Sequence, residues 1–166
     1  MQQGWVALVG PELEENLSLR SLAATLARAG ISSRIIRFDG QDLVPLDENQ
    51  LLPVRRRISM LFQGGALFDS ISVGENVAYP LREHLRLSDA QITERVAQKL
   101  SLVGLPGIET MRPAELSGGM RKRVAIARAI AADPEVVLYD EPTTGLDPVN
   151  TRRINELILS IQHDLK

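Results

Sequence analysis

Apolar residues along this chain fall into two kinds of segment. Trp5–Val9 (WVALV), Arg34–Phe38 (RIIRF), Ile58–Phe62 (ISMLF) and Val136–Tyr139 (VVLY) are short, nearly continuous runs rich in Val, Ile, Leu and aromatic residues, the signature of strands buried on both faces. Between them the spacing becomes helical. Leu19, Leu22, Ala23, Leu26 and Ala29 mark one face of a helix that stops at Gly30, a residue suited to a C-terminal cap. Ser88 opens another helix, with Gln91 placed to complete a capping box and Ile92, Val96, Leu100 and Val103 as its stripe. A further helix is predicted from about Met120 to Ala132, ending before Asp133-Pro134, and a last one from about Asn150 through Ile154, Leu157, Ile158, Ile161 and Leu165.

Strands alternating with helices predict a layered α/β fold, a mostly parallel sheet with a helical subdomain from about Gly64 to Leu116. The strand at 34–38 ends at Asp39-Gly40. It either joins the parallel sheet or forms an antiparallel side ribbon. No internal repeat, low-complexity tract or linker interrupts the pattern.

Composition narrows the function classes. The chain has 166 residues, 44% hydrophobic and 24% charged, enough for one folded domain with a core. A net charge of −2 gives no electrostatic reason to expect nucleic acid as a partner. Cysteine is absent, which excludes disulfides and thiolate metal sites and fits a reducing cytosol. No run of 18 apolar residues and no basic-then-apolar leader occurs, so direct membrane insertion is not expected.

Chemistry concentrates in AELSGGMRKRVAIARAIAADPEVVLYDEPTTGLDP, Ala114 to Pro148. The small residues Ser117, Gly118 and Gly119 let backbone N–H groups approach a phosphate, and the helix behind them adds its positive N-terminal dipole. Asp140 and Glu141 emerge at the C-terminal end of an apolar strand, the usual ligand edge of an open α/β sheet.

These motifs resemble those of ABC transporter ATPase subunits. LSGGM followed by a basic, alanine-rich helix looks like the signature motif, VVLYDE like the Walker B strand with its catalytic glutamate, GLD like the D-loop, and Gln63 stands at the Q-loop position. QGGALFDSISVGENVAYPLREH further resembles the Mla-type branch, which serves lipid transport across the bacterial envelope. The resemblance spans about residues 38–166. It implies that ATP and Mg²⁺ are the cofactors, that Asp140 and Gln63 attend the metal, and that Glu141 polarises the attacking water while Gln63 orients it. It implies that Ser117, Gly118, Gly119 and Asp147 face ATP on an opposite subunit, so the partners are a second ATPase subunit and a transmembrane permease. Localisation is then cytoplasmic, peripheral at the inner membrane through that permease.

Two histidines remain. His84 lies in polar LREHLRL and is expected to be solvated. His163, in HDL, imitates the family's switch histidine, but the residues around it have helical spacing and it lies only 22 positions after Glu141. It is therefore not assigned that role, and the chain reads as C-terminally incomplete.

One stretch departs from the family. In LVGPELEENLSL, Leu8 to Leu19, a strand, a glycine and a helix are arranged as in a phosphate-binding loop. A Walker A motif starting at Gly10 requires Gly, Lys and Ser or Thr at positions 15, 16 and 17, whereas the chain has Glu15, Asn16 and Leu17. Glu12, Glu14 and Glu15 repel a triphosphate where a lysine would attract it, and a close pair of unit charges is worth about 1 kcal/mol in water and about 4 at an effective dielectric near 20. Trp5 lies within the strand, too late to stack an adenine ahead of it. Binding of ATP in the chain's own site is not expected.

Residues 1–38 resemble the first strand–loop–helix–strand unit of cobalamin-binding, flavodoxin-like domains, without the D-x-H-x-x-G motif that holds cobalamin. The expectation is a chimera: a flavodoxin-like unit at 1–38 and an ABC body at 39–166, either recombined or engineered, or else a lineage that lost its P-loop. The functional reading is an ABC-type ATP-binding subunit that is not a competent ATPase alone. The alternatives are a fold scaffold without nucleotide chemistry and a small-ligand module using the loop after Val9.

Overall fold

The computed structural model describes residues 8–9, 37–43 and 45–164. The loop with Glu12, Glu14 and Glu15, the helix expected over 19–29 and Trp5 lie outside the described residues. Three strands form a parallel sheet: β1 (Leu8–Val9), β4 (Ile58–Leu61) and β5 (Val136–Asp140), in the order β1-β5-β4. β5 is central among them, pairing Leu8 with Tyr139 on one side and Leu61 with Tyr139 on the other. The expected strands at 58–62 and 136–139 are present, with β4 closing one residue earlier than Phe62 and β5 extending to Asp140, while of the strand expected at 5–9 only Leu8–Val9 is described.

Of the segment expected at 34–38, the described residues Arg37–Phe38 take the antiparallel option. β2 (Arg37–Phe38) pairs antiparallel with β3 (Gln41–Asp42). Asp39 and Gly40 both have positive φ, 52° and 79°, as a two-residue hairpin turn of type I′ requires, and Asp-Gly favours that turn. A flavodoxin-like βαβ unit calls for a second parallel strand here. The described residues supply a side hairpin instead, the second of the two options open for this strand, and a flavodoxin-like first unit is not shown.

Arg57 fastens this hairpin to the sheet. Its guanidinium donates to Glu135 at 2.5 and 2.7 Å and to Asp39 at 3.0 Å, and it lies 4.5 Å from the centre of the Phe38 ring. Phe38 also packs with Leu43, Leu51 and Val54 in a small satellite core. Leu51 and Val54 come from α1 (Glu48–Arg57), a helix absent from the sequence expectations. Asp47 and Gln50 close a capping box at its start, and Pro53 lies inside it.

The main core sits between the sheet and the helices. α2 (Val73–His84) and α3 (Asp89–Leu102) form the helical subdomain, and α4 (Gly118–Ala129) and α5 (Pro148–Asp164) flank the sheet. α3 starts with the expected Ser88–Gln91 capping box, with bonds of 2.9 and 3.3 Å. Leu61, Val77, Leu81, Val96, Leu100, Val124, Ile126, Ile130, Tyr139, Ile154 and Ile161 share one continuous cluster. Each fully buried aliphatic side chain there contributes about 1.5–3 kcal/mol. The cluster thereby holds the helical subdomain against the strand ends that carry the chemistry.

Candidate functional site at the strand ends

Register places the first group of residues. Leu61 pairs with Tyr139 in parallel, so the residues two further on, Gln63 and Glu141, leave the same sheet edge side by side. Gln63 Nε2 donates to Glu141 Oε2 at 2.9 Å, and the Thr144 hydroxyl donates to the same oxygen at 2.7 Å. Among the described residues nothing bonds Glu141 Oε1. The Glu141 backbone is held at φ 40°, in the left-handed region where a non-glycine residue is strained, and such strain tends to persist where the surroundings aim a functional side chain.

Asp140, one residue earlier, is 5% exposed, and its Oδ1 is buried without a hydrogen-bond partner among the described residues. Burial pushes its pKa up, and the Gln63 backbone amide partly offsets that. An unpaired buried carboxylate oxygen is costly and is a hard donor suited to Mg²⁺. Among the described residues no three His, Cys, Asp or Glu side chains gather to hold a metal. Mg²⁺ keeps much of its water and takes one or two carboxylates plus substrate phosphates, and the unpartnered Asp140 oxygen is a donor of that kind. The residues present therefore fit the metal that the motif implies.

A second group gathers at two helix starts. Ser117 caps α4 by accepting from the Met120 amide at 3.3 Å. That leaves the Gly118 and Gly119 amides at an N-terminus, where unsatisfied N–H groups favour an anion. A side chain at Gly119 would bring its Cβ within 3.4 Å of Asn150 Oδ1, and one at Gly118 within 3.9 Å of Leu146. Asp147 caps α5, accepting from the Val149 and Asn150 amides at 3.0 and 3.1 Å and from the Asn150 side chain. Those bonds, from Asn150 first, hold its pKa below the usual carboxylate range. Within the chain, then, Asp147 acts as a helix cap.

Lys122 and Arg128, also on α4, connect this helix to the loop after β4. Lys122 is 8% exposed, and its ammonium donates to the Gln63 backbone carbonyl. Arg128 donates to the Gly65 and Ala66 carbonyls, each at 2.7 Å. Sequence reasoning took these cations as part of a basic helix and assigned nothing to Thr144. Their three-residue spacing with Ala125, which a Cβ at Gly65 would meet at 3.1 Å, was the available signal. His84 is exposed at the end of α2, as expected, and His163 lies within α5 rather than after a strand. Among the described residues no helix is long and apolar enough to cross a membrane.

Comparison with known proteins bears on the family and the fold. The chain is 46% identical over 142 residues to the intermembrane phospholipid transport system ATP-binding protein MlaF of Haemophilus influenzae, covering 79% of this chain and 54% of that protein. It is 44% identical over 155 residues to the probable ribonucleotide transport ATP-binding protein mkl of Mycobacterium tuberculosis, covering 93% of this chain and 42% of that one. The chain thus spans about half the length of the curated relatives it matches. Among solved structures, cbiO1 of Clostridium perfringens, part of the ABC transporter complex cbiONQ, superposes with a TM-score of 0.77 at 29% identity, covering 99% of this chain and 65% of that one. The ATP-binding cassette MJ0796, in a dimeric post-hydrolysis state bound to ADP and Pi, superposes at 0.73 and 25% identity, covering 98% and 72%. The sequence pattern of the ABC transporter family matches residues 19–144, reaching well into the segment likened above to a flavodoxin-like unit, so a foreign origin for 19–38 is not supported. With that match over most of its length, the chain belongs to the ABC transporter family.

Proposed function

We propose that this chain is an ABC-type ATP-binding subunit that works in a dimer, presenting Ser117, Gly118 and Gly119 to ATP held by a partner subunit. The observation that carries the reading is the paired strand-end geometry, with Gln63 bonded to Glu141 beside a buried, unpartnered Asp140 oxygen. Were nucleotide bound at these strand ends, Glu141 would take the proton of the attacking water through Oε1, which has no partner among the described residues, while Gln63 and Thr144 fix the carboxylate. Mg²⁺, when bound beside Asp140 and Gln63, neutralises charge on the phosphates. Asp147 touches the partner from its place at the start of α5.

The chain's own nucleotide site is the finer part of the proposal. Glu15, Asn16 and Leu17 stand at the Walker A positions, which supports weak or absent ATP binding there and no competent hydrolysis by the chain alone. A recombined or engineered scaffold draws support only from those same residues, and the family match from residue 19 weighs against it. By its likeness to MlaF we assign the chain to lipid transport, with a transmembrane permease as second partner and a cytoplasmic, membrane-peripheral location. The relative named for ribonucleotide transport makes the substrate the finest point to test.

The test is mixing with an intact phospholipid-type cassette. Sedimentation with MgATP should show a heterodimer that disperses when ATP is omitted. A mixture that stays monomeric at saturating MgATP contradicts the reading.

A further inference from the structure

Lys122 is a buried cation with no part in the chemistry described so far. Its ammonium points at the backbone carbonyl of Gln63, the residue whose side chain holds Glu141. Burial pushes its pKa down, while the nearby Asp140 and Glu141 carboxylates pull it up. The same helix grips the Gly65 and Ala66 carbonyls of that loop through Arg128. Gly65, with φ 77°, leaves room for Ala125 between the two cations, and Ala66 follows at φ 45°. Lys122, Ala125 and Arg128 are three apart, so they lie on one helix face. This face bonds three of the four carbonyls of the loop from 63 to 66, including that of Ala66, whose positive φ is uncommon for a non-glycine residue.

We infer that Lys122 is a positioning residue that holds Gln63 against Glu141, making α4 a rigid link between the phosphate-facing Ser117–Gly119 and the water-polarising pair. Lys122 sits five residues beyond Ser117, about 7 Å along the helix axis. A shift of α4 driven by an anion at its N-terminus therefore reaches the Gln63 carbonyl through one hydrogen bond. The geometric claim is independent of nucleotide, while its consequence for a dimer rests on the function proposed above.

The test uses ¹⁵N NMR of the full chain and the Gln63 side-chain amide, identified by its loss in Gln63→Glu. Glu141→Ala, which removes the acceptor, gives the position of the free amide. Lys122→Met should move the Gln63 signals toward that position, and Lys122→Arg should leave them near the unsubstituted value. An unmoved Gln63 amide in a folded Lys122→Met chain overturns the inference. Should that variant not fold, the unsubstituted chain still decides: its Lys122 ammonium must give a signal protected from exchange, and a rapidly exchanging ammonium refutes the contact. With an intact cassette supplying MgATP, dimer formation should shift the Gln63 amide in the unsubstituted chain and not in Lys122→Met; an equal shift in both removes the link. Failure of the dimer to form counts against the proposed function and leaves the nucleotide-free result standing.

Discussion

Gln63 and Glu141 are 78 positions apart in sequence and meet at 2.9 Å, the amide of one donating to the carboxylate of the other. Two parallel strands in register bring them there, with no loop needed to fold back. The pair is thus a consequence of the sheet, and its accuracy is that of the strand pairing. Thr144 bonds the same carboxylate oxygen and leaves the other toward the site.

Ser117 offers a way to separate folding from phosphate contact. Ser117→Ala loses the cap of α4 and should cost about 1 kcal/mol of stability, read as a lower melting temperature. Ser117→Asp keeps a capping oxygen and should melt close to the unsubstituted protein. Both should lower ATP hydrolysis by a mixed dimer, but Ser117→Asp more severely, by about 10²-fold or more, because it sets a negative charge against phosphate. A fully active Ser117→Asp mixture would remove the phosphate-facing role.

Restoring the missing loop residues tests the cis site. Glu15→Gly, Asn16→Lys and Leu17→Ser together should create MgATP binding in the micromolar to millimolar range usual for enzymes, measured by calorimetry. In that background Glu141→Gln should reduce hydrolysis by about 10²–10⁴-fold. Hydrolysis unchanged by the substitution would remove Glu141 from its role.

Much of this site was legible beforehand because it lies at strand ends, where the motif and the strand boundary coincide. Asp140, Glu141 and Gln63 needed only the positions of β4 and β5. Lys122 and Arg128 were less legible: their three-residue spacing with Ala125 marks a shared face, but nothing in a basic, alanine-rich helix says that this face meets the loop after Gln63. α1 escaped because Pro53 and three consecutive arginines break the usual helical signals, although Asp47 and Gln50 held its capping box in plain view. The Asp39-Gly40 pair was read as a strand terminator, while its positive φ values make it the turn of a hairpin. The loop at residues 10–17 is known from its side-chain chemistry alone.

Asp140 should cost the fold stability in return for its chemistry. Burial raises its folded pKa above the ordinary 3.8, so ionising it is harder in the native state than in the unfolded chain. Its contribution to stability is then neutral below pH 3.8 and becomes unfavourable as pH rises through the raised value. Asp140→Asn should raise the melting temperature at pH 7 while removing metal-dependent activity from the restored-loop chain. A melting temperature that falls at pH 7 would mean the carboxylate is satisfied by a partner.

The Arg57–Glu135 pair makes the opposite pH prediction. Its bond to Arg57 holds Glu135 below the ordinary 4.5, so the stability it lends is present above pH 4.5 and is lost as pH falls through the lowered value. Arg57→Met should remove that part of the acid-side slope in a plot of melting temperature against pH. It should also loosen the Phe38 hairpin, seen as faster hydrogen exchange at Gln41 and Asp42. An unchanged slope would show that the pair contributes nothing measurable, as many exposed ion pairs do.

The most direct measurement is calorimetric titration of the unsubstituted chain with MgATP, its fold confirmed by circular dichroism. The account predicts no heat of binding up to millimolar nucleotide, because the loop after Gly10 presents glutamates where a phosphate needs a lysine. Saturable binding in the micromolar range would contradict it and make this chain an ATP-binding subunit in its own right.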